Sequence, residues 1–220
     1  MQAKADGAAR RDATEAPGDR IVQACWSCQG PVAVGEPFCP SCKAVQPPGQ
    51  ADHFQRLGLP RGFEIDTAAL EKSYFQMQRL LHPDRFATRT PKEKTLSQQQ
   101  ATSLNDAYET LKDPLARAAY LANLMGRDVL KEDGNALVDP MILMEAMEMR
   151  EALAEAETAE DVATVTKRAQ GEIADCESEL SDAFAADDLD QAASLITRLK
   201  YLRKLADDTR ARRAELSGRG

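Results

Sequence analysis

No apolar run in this 220-residue chain approaches the ~18 residues needed to span a bilayer. Charged residues make up 29% of it, so the sequence predicts a soluble protein without a membrane span. Histidine is scarce. His53 and His82 are the two, and none lies beyond residue 82. Cys176 therefore lacks a base partner in its half of the chain and reads as a small buried packing residue, not a nucleophile. An excess of positive charge is also missing. The net charge of −8 argues against general nucleic-acid binding, which needs basic patches to neutralise phosphates. No hydrophobic stretch follows the start, so no secretory signal is expected. Asp6, Asp12, Glu15 and Asp19 are out of place in a mitochondrial presequence. Residues 1–20 read as a disordered tail retained in a bacterial cytoplasm, with a mitochondrial matrix as the alternative.

What charge there is lies unevenly. Residues 61–94 hold seven Lys/Arg and five Asp/Glu, residues 139–190 three and sixteen, and residues 191–220 eight and three. Such asymmetry suggests distinct binding surfaces, although solvated helix faces account for part of it.

Four of the five cysteines fall in two pairs, Cys25-x2-Cys28 and Cys39-x2-Cys42, ten residues apart. Two CxxC pairs suit a tetrahedral metal, each on a tight knuckle whose amides face the thiolates. Zinc is the expected ion, with a rubredoxin-like iron as the alternative. Disulfides would need an oxidising compartment, for which there is no signal. A thioredoxin-like redox pair would need a βαβ context that is absent. Four protein ligands leave no open position, so the site should be structural or a docking module. Segment 21–46 is too short to build a core unaided, and metal would supply most of its folding energy. Lys43 is the one cation close to the cysteines, too little for a nucleic-acid surface. A stiff polar link rich in proline follows, closing at residue 51.

Residues 66–86, DTAALEKSYFQMQRLLHPDRF, organise the rest. Leu70, Tyr74, Met77 and Leu81 recur at helical spacing, with Phe75 and Leu80 widening that face. Asp66 or Thr67 can cap the start. Pro83 ends the helix at His82, which leaves His82, Pro83 and Asp84 at an exposed tip followed by Arg85. A polar loop is expected over 86–96. A second helix over about 95–111 then presents Leu104, Ala107, Tyr108 and Leu111 on one face, and the two helices with their polar tip make a helical hairpin. Asp113-Pro114 breaks it, and 115–125 form one more short helix. His53, in the short helix that begins DHFQRLGL, is expected to be a partly buried packing residue.

Taken together, DHFQRLGL at 52–59, HPDRF at 82–86, LNDAYETLKDP at 104–114 and ARAAY at 116–120 resemble a J-domain. That is the module that stimulates ATP hydrolysis by DnaK-type chaperones. The resemblance covers 52–125. It implies that His82, Pro83 and Asp84 signal to the chaperone, with Arg79 and Arg85 offering charge to an acidic partner surface.

Residues 126–138 read as a connector. Beyond it the pattern is helical, with helices near 140–156, 159–185 and 189–214, an antiparallel three-helix bundle. Residues 215–220 read as a tail. The chain is thus mainly α, with a small β element in the knuckle pair. In 141–153, MILMEAMEMREAL, the set Ile142, Ala146, Met149 and Leu153 can face the bundle. Leu143, Met144 and Met147 form a neighbouring stripe beside Glu148 and Glu151. That stripe is either a protein-binding surface or a second packed side.

A J-domain followed by LMEAMEMREAL and LITRLKYLRKL is similar, over about 52–214, to the HscB-type iron–sulfur co-chaperones. The preceding cysteine segment resembles the metal-binding extension of mitochondrial members. The resemblance implies two partners, an HscA- or DnaK-type ATPase chaperone and an IscU-type cluster scaffold. It places scaffold contacts on Leu143, Met144, Met147, Glu148, Glu151 and Tyr201. Met147 and Tyr201 stand where other members often have Leu and Phe. Hydrolysis would belong to the chaperone, so the chain is expected not to be an enzyme. The rival class is a general J-protein delivering another client, but the Gly/Phe-rich segment and β-rich client domain usual there are absent.

Overall fold

Every helix start in the hairpin is fixed by a side chain that takes up free backbone amides. A computed structural model describes residues 21–129 and 139–217. The segments 1–20, 130–138 and 218–220 lie outside the described residues, and with them the expected N-terminal tail, most of the connector and the last residues of the tail. Strands β1 (Val22–Ala24) and β2 (Pro31–Ala33) pair antiparallel. Helix α1 (His53–Leu57) is capped by Asp52. Helix α2 (Thr67–Leu81) is capped by Asp66, whose carboxylate accepts from the Ala68 and Ala69 amides. A 3-10 turn (Pro83–Phe86) leads to α3 (Pro91–Lys112) and α4 (Pro114–Leu124).

The loop expected over 86–96 is shorter than its composition suggested. Helix α3 begins at Pro91 because Thr90 and Glu93 form a reciprocal capping box around a proline in the first turn, where proline's missing amide costs nothing. Phe86 and Leu96 are buried, not loop residues in solvent. Phe75 and Leu80 also depart from expectation. They are 49% and 45% exposed, because the fully buried stripe of α2 is narrow and centres on Leu70 and Leu81. Tyr74 instead stacks on Tyr108, ring centroids 4.0 Å apart.

The C-terminal half holds α5 (Pro140–Ala154), α6 (Ala159–Ala185) and α7 (Leu189–Ser217). The last helix runs about three residues further than the sequence suggested. Asp188 caps it by accepting from the Gln191 amide. Met149 and Leu153 of α5 join the core with α6 and α7, and Ile142 is buried in the groove between α5 and α7. Cys176 is fully buried, donates to the Leu195 carbonyl, and burial pushes its thiol up to about 11. That is an inert packing residue.

One apolar core continues from the hairpin into the bundle. At the joint, Phe63 stacks on Phe184 at 5.7 Å, and the Arg117 guanidinium lies over the Phe63 ring. Arg203 of α7 grips Asp113 at 2.6 and 2.7 Å, while Asp113 also caps α4. Gly171 sits inside α6 with nothing within 4 Å of where a Cβ would be. Gly171→Ala should therefore raise stability by about 1 kcal/mol, seen as a Tm increase of roughly 2–4 °C in thermal unfolding.

Candidate functional site

Three sites can be built from the residues upward. The first is the tip of the hairpin. Pro83 ends α2 and turns the backbone at His82 to extended geometry. The imidazole Nδ1 of His82 then accepts from the Asp84 amide at 3.3 Å and lies 3.6 Å from the Asp84 carboxylate. Ser97 of α3 donates to the Leu81 carbonyl at 2.7 Å, and buried Phe86 pins the far side of the turn. The core thus fixes the turn while His82 and Asp84 stay exposed. Arg85 folds back so that its Nη1 donates to the Arg79 carbonyl. Arg79 and Phe75 lie one and two turns before His82 on the same stripe of α2. The arrangement is a charged peg on an exposed helix end, anchored by Ser97 and Phe86.

The second site is the outer face of α5. Leu143, Met144 and Met147 are 40%, 51% and 61% exposed, and Met141 extends the patch beyond the residues read from sequence. Glu148 and Glu151 are exposed beside them. Tyr201 is half-buried and lines the groove between α5 and α7 with Ala146 and Arg150. An apolar patch flanked by acids and left open to solvent is shaped for a protein partner.

Beneath that face lies a charge network that periodicity alone does not reveal. Arg198 of α7 holds Glu145 of α5 through two bonds of 2.8 Å and Glu172 of α6 through one of 2.6 Å. The Arg198 guanidinium keeps the Glu145 carboxyl below the usual carboxylate range despite partial burial. The sequence signal was a glutamate set inside the apolar run Met144–Ala146. Arg198→Met should cost roughly 2–3 kcal/mol in denaturant unfolding, because it leaves two part-buried carboxylates facing one another.

The third site is the knuckle pair. The two knuckles repeat one geometry. The Gln29 amide donates to the Cys25 carbonyl and the Lys43 amide to the Cys39 carbonyl, each at 3.0 Å. Gln29 and Lys43 both adopt left-handed backbone, φ 60° and 61°, which turns the chain back after each second cysteine. The four sulfurs lie within 4.8 Å of one another, and none is in a disulfide. Cys25 and Cys42 are 3.8 Å apart and Cys28 and Cys39 are 3.7 Å apart. A tetrahedral ion with metal–sulfur bonds of about 2.3 Å needs sulfur–sulfur edges of about 3.8 Å. The donor set therefore fits a metal ion.

The electrostatics agree. Burial acts to raise the Cys25 thiol, but the Cys28 and Ser27 amides outweigh it and hold it at about 6. The Cys42 amide, with that of Ser41, lowers Cys39. The Gly30 amide favours the Cys28 thiolate, yet the neighbouring sulfurs and burial prevail and push it up to about 11. Four adjacent thiols cannot all ionise without a cation between them. Lys43 turns its ammonium onto the Pro40 carbonyl, 2.9 Å away.

Comparison with known proteins agrees with this geometry. Residues 52–120 match the DnaJ domain model. A helical hairpin with an exposed His-Pro-Asp turn, so matched, defines a J-domain protein. Residues 138–210 match a second model, described as the HSCB C-terminal oligomerisation domain. The human iron–sulfur cluster co-chaperone protein HscB is 37% identical over 199 residues, covering 87% of this chain and 83% of its own. The co-chaperone protein HscB homolog of Vibrio vulnificus strain YJ016 is 36% identical, covering 71% of this chain and 94% of its own. The crystal structure of human HscB superposes with a TM-score of 0.80 at 36% identity, over 85% of this chain and 96% of that one. The chain belongs to the HscB family of iron–sulfur cluster co-chaperones.

Proposed function

We propose that this protein couples an HscA- or DnaK-type ATPase chaperone to an IscU-type iron–sulfur scaffold by holding both at once. His82, Pro83 and Asp84 engage the chaperone and trigger its ATP hydrolysis. The Asp84 carboxylate suits fork-like pairing with an arginine there. Arg79 and Arg85 supply charge that speeds encounter more than it strengthens the complex, and exposed Phe75 adds apolar area on the same stripe. Leu143, Met144, Met147, Glu148, Glu151 and Tyr201 carry the scaffold. Two partners on one body reach high effective concentration for each other. The protein supplies geometry and the chaperone the chemistry.

The observation that carries this reading is the pairing of an exposed His-Pro-Asp peg with an exposed Leu/Met face in one chain with a continuous core. The knuckle pair would hold zinc on Cys25, Cys28, Cys39 and Cys42, where a closed four-thiolate ion supplies folding energy and no reactive position. Five free cysteines suit a reducing compartment, and we place the protein in a bacterial cytoplasm, with a mitochondrial matrix as the alternative.

Sedimentation velocity tests the bridging. A mixture of the protein, an ATP-bound DnaK-type chaperone trapped against hydrolysis and an IscU-type scaffold should give a ternary species. Displacement of one partner by the other would overturn the proposal.

A further inference from the structure

The cysteine segment does not hang from the hairpin on a free linker. Gln46 closes the cysteine segment at the start of the polar link, yet it is 1% exposed. Its Nε2 donates to the Cys25 sulfur at 3.4 Å and to the Ala44 carbonyl at 2.8 Å. The Gln46 backbone carbonyl accepts from Gln100 Nε2 of α3 at 2.9 Å, and Gln100 is 2% exposed. Gln100 Oε1 accepts in turn from Arg56 of α1 at 3.3 Å, and the same guanidinium donates to the Pro48 carbonyl. The Cys25 sulfur, Gln46, Gln100 and Arg56 are thus joined in series, with Gln46 and Gln100 buried. Apolar contacts run alongside. Val45 belongs to the hairpin core, with Trp26 and Phe38 packed on it. The Trp26 indole donates to the Val45 carbonyl at 2.7 Å, and its ring lies under the Lys92 ammonium at 4.3 Å.

We infer that Gln46 is a positioning residue for the metal, that Gln100 holds it in place, and that metal occupancy and packing of α1 and α3 are therefore linked. The inference rests on the reading of the four cysteines as a metal site. A thiolate bound to a cation is a charged acceptor and takes a stronger bond from the Gln46 amide than a neutral thiol does. Partners of this kind orient ligands and tune metal affinity. By reciprocity, whatever the metal contributes to docking, docking contributes to metal binding. Helix α3 also carries Ser97, which holds the end of α2 beside the tip, so the linkage reaches the element that supports His82.

The test uses the full chain loaded with zinc or cobalt. Gln100→Met keeps length and removes the donor. It should release zinc to a chromogenic chelator roughly tenfold faster. Gln46→Met in the cobalt-loaded protein should shift the thiolate-to-cobalt charge-transfer band to lower energy, because Cys25 loses a hydrogen bond. In the unaltered protein, stripping the metal should speed amide exchange in α3 around residues 96–104 and in α1. That arm needs no variant, so it stands even if a substitution prevents folding. Unchanged release, an unmoved band and metal-independent exchange would overturn the inference. Failure of the unaltered chain to bind metal stoichiometrically would instead overturn the cofactor reading beneath it.

Discussion

His82→Gln should reduce stimulation of a DnaK-type ATPase to near the basal rate, a fall of at least about tenfold, while leaving the fold intact. A tenfold fall is about 1.4 kcal/mol of lost coupling. Two observations separate signalling from stability here. The imidazole is more than half exposed, and its bond from the Asp84 amide at 3.3 Å is one a glutamine oxygen can approximate. The turn itself is held by Phe86 and by Ser97 on the Leu81 carbonyl, neither of which changes. Steady-state ATPase rates paired with thermal unfolding check this. A lost rate with an unchanged Tm is expected. A lost rate with a large fall in Tm would assign His82 to structure.

Replacing Leu143, Met144 and Met147 together by serine should weaken scaffold binding by roughly a hundredfold or more. Fully burying one such side chain is worth about 1.5–3 kcal/mol. These three are already partly shielded, so about 1 kcal/mol each is a sober figure, and 3 kcal/mol is about a hundredfold in Kd. Stability should move little, because surface substitutions away from the core usually fall within about 0.5 kcal/mol each. Calorimetric titration with the scaffold and denaturant unfolding give the two readouts. Intact affinity would remove the α5 face from the binding surface. A large loss of stability would make the patch a packing face, the alternative that periodicity left open. Glu148→Gln and Glu151→Gln should act chiefly on the association rate, with an effect that shrinks in high salt.

Local rules account for most of what was legible in the sequence. Pro83 marked the end of α2 and Asp113-Pro114 the break before α4, since caps and prolines act within one turn. The start of α3 was equally local. The Thr90–Glu93 box with Pro91 is a sequence-visible signal that the polar composition of 86–96 obscured. Phe75 and Leu80 read as inward because an amphipathic stripe has no sharp edge in sequence.

The pairings least legible in the sequence join distant residues. Nothing near Gln46 announces Gln100, and nothing near Glu145 announces Arg198. Both are side-chain bonds whose partners lie more than fifty positions apart. They become visible once the helices are placed. The metal site was the opposite case. Two CxxC pairs at close spacing leave few ways for four sulfurs to fall other than together, and the Cys25–Cys42 and Cys28–Cys39 separations match edges of a tetrahedral site.

The central claim is that one chain makes chaperone and scaffold act together. The most direct test is the chaperone's steady-state ATPase rate with this protein, with the scaffold, and with both. The account predicts that the pair stimulates beyond the sum of the two alone, and that both His82→Gln and the Leu143/Met144/Met147 serine variant abolish the excess. Purely additive rates, or an excess that survives loss of the α5 face, would contradict it.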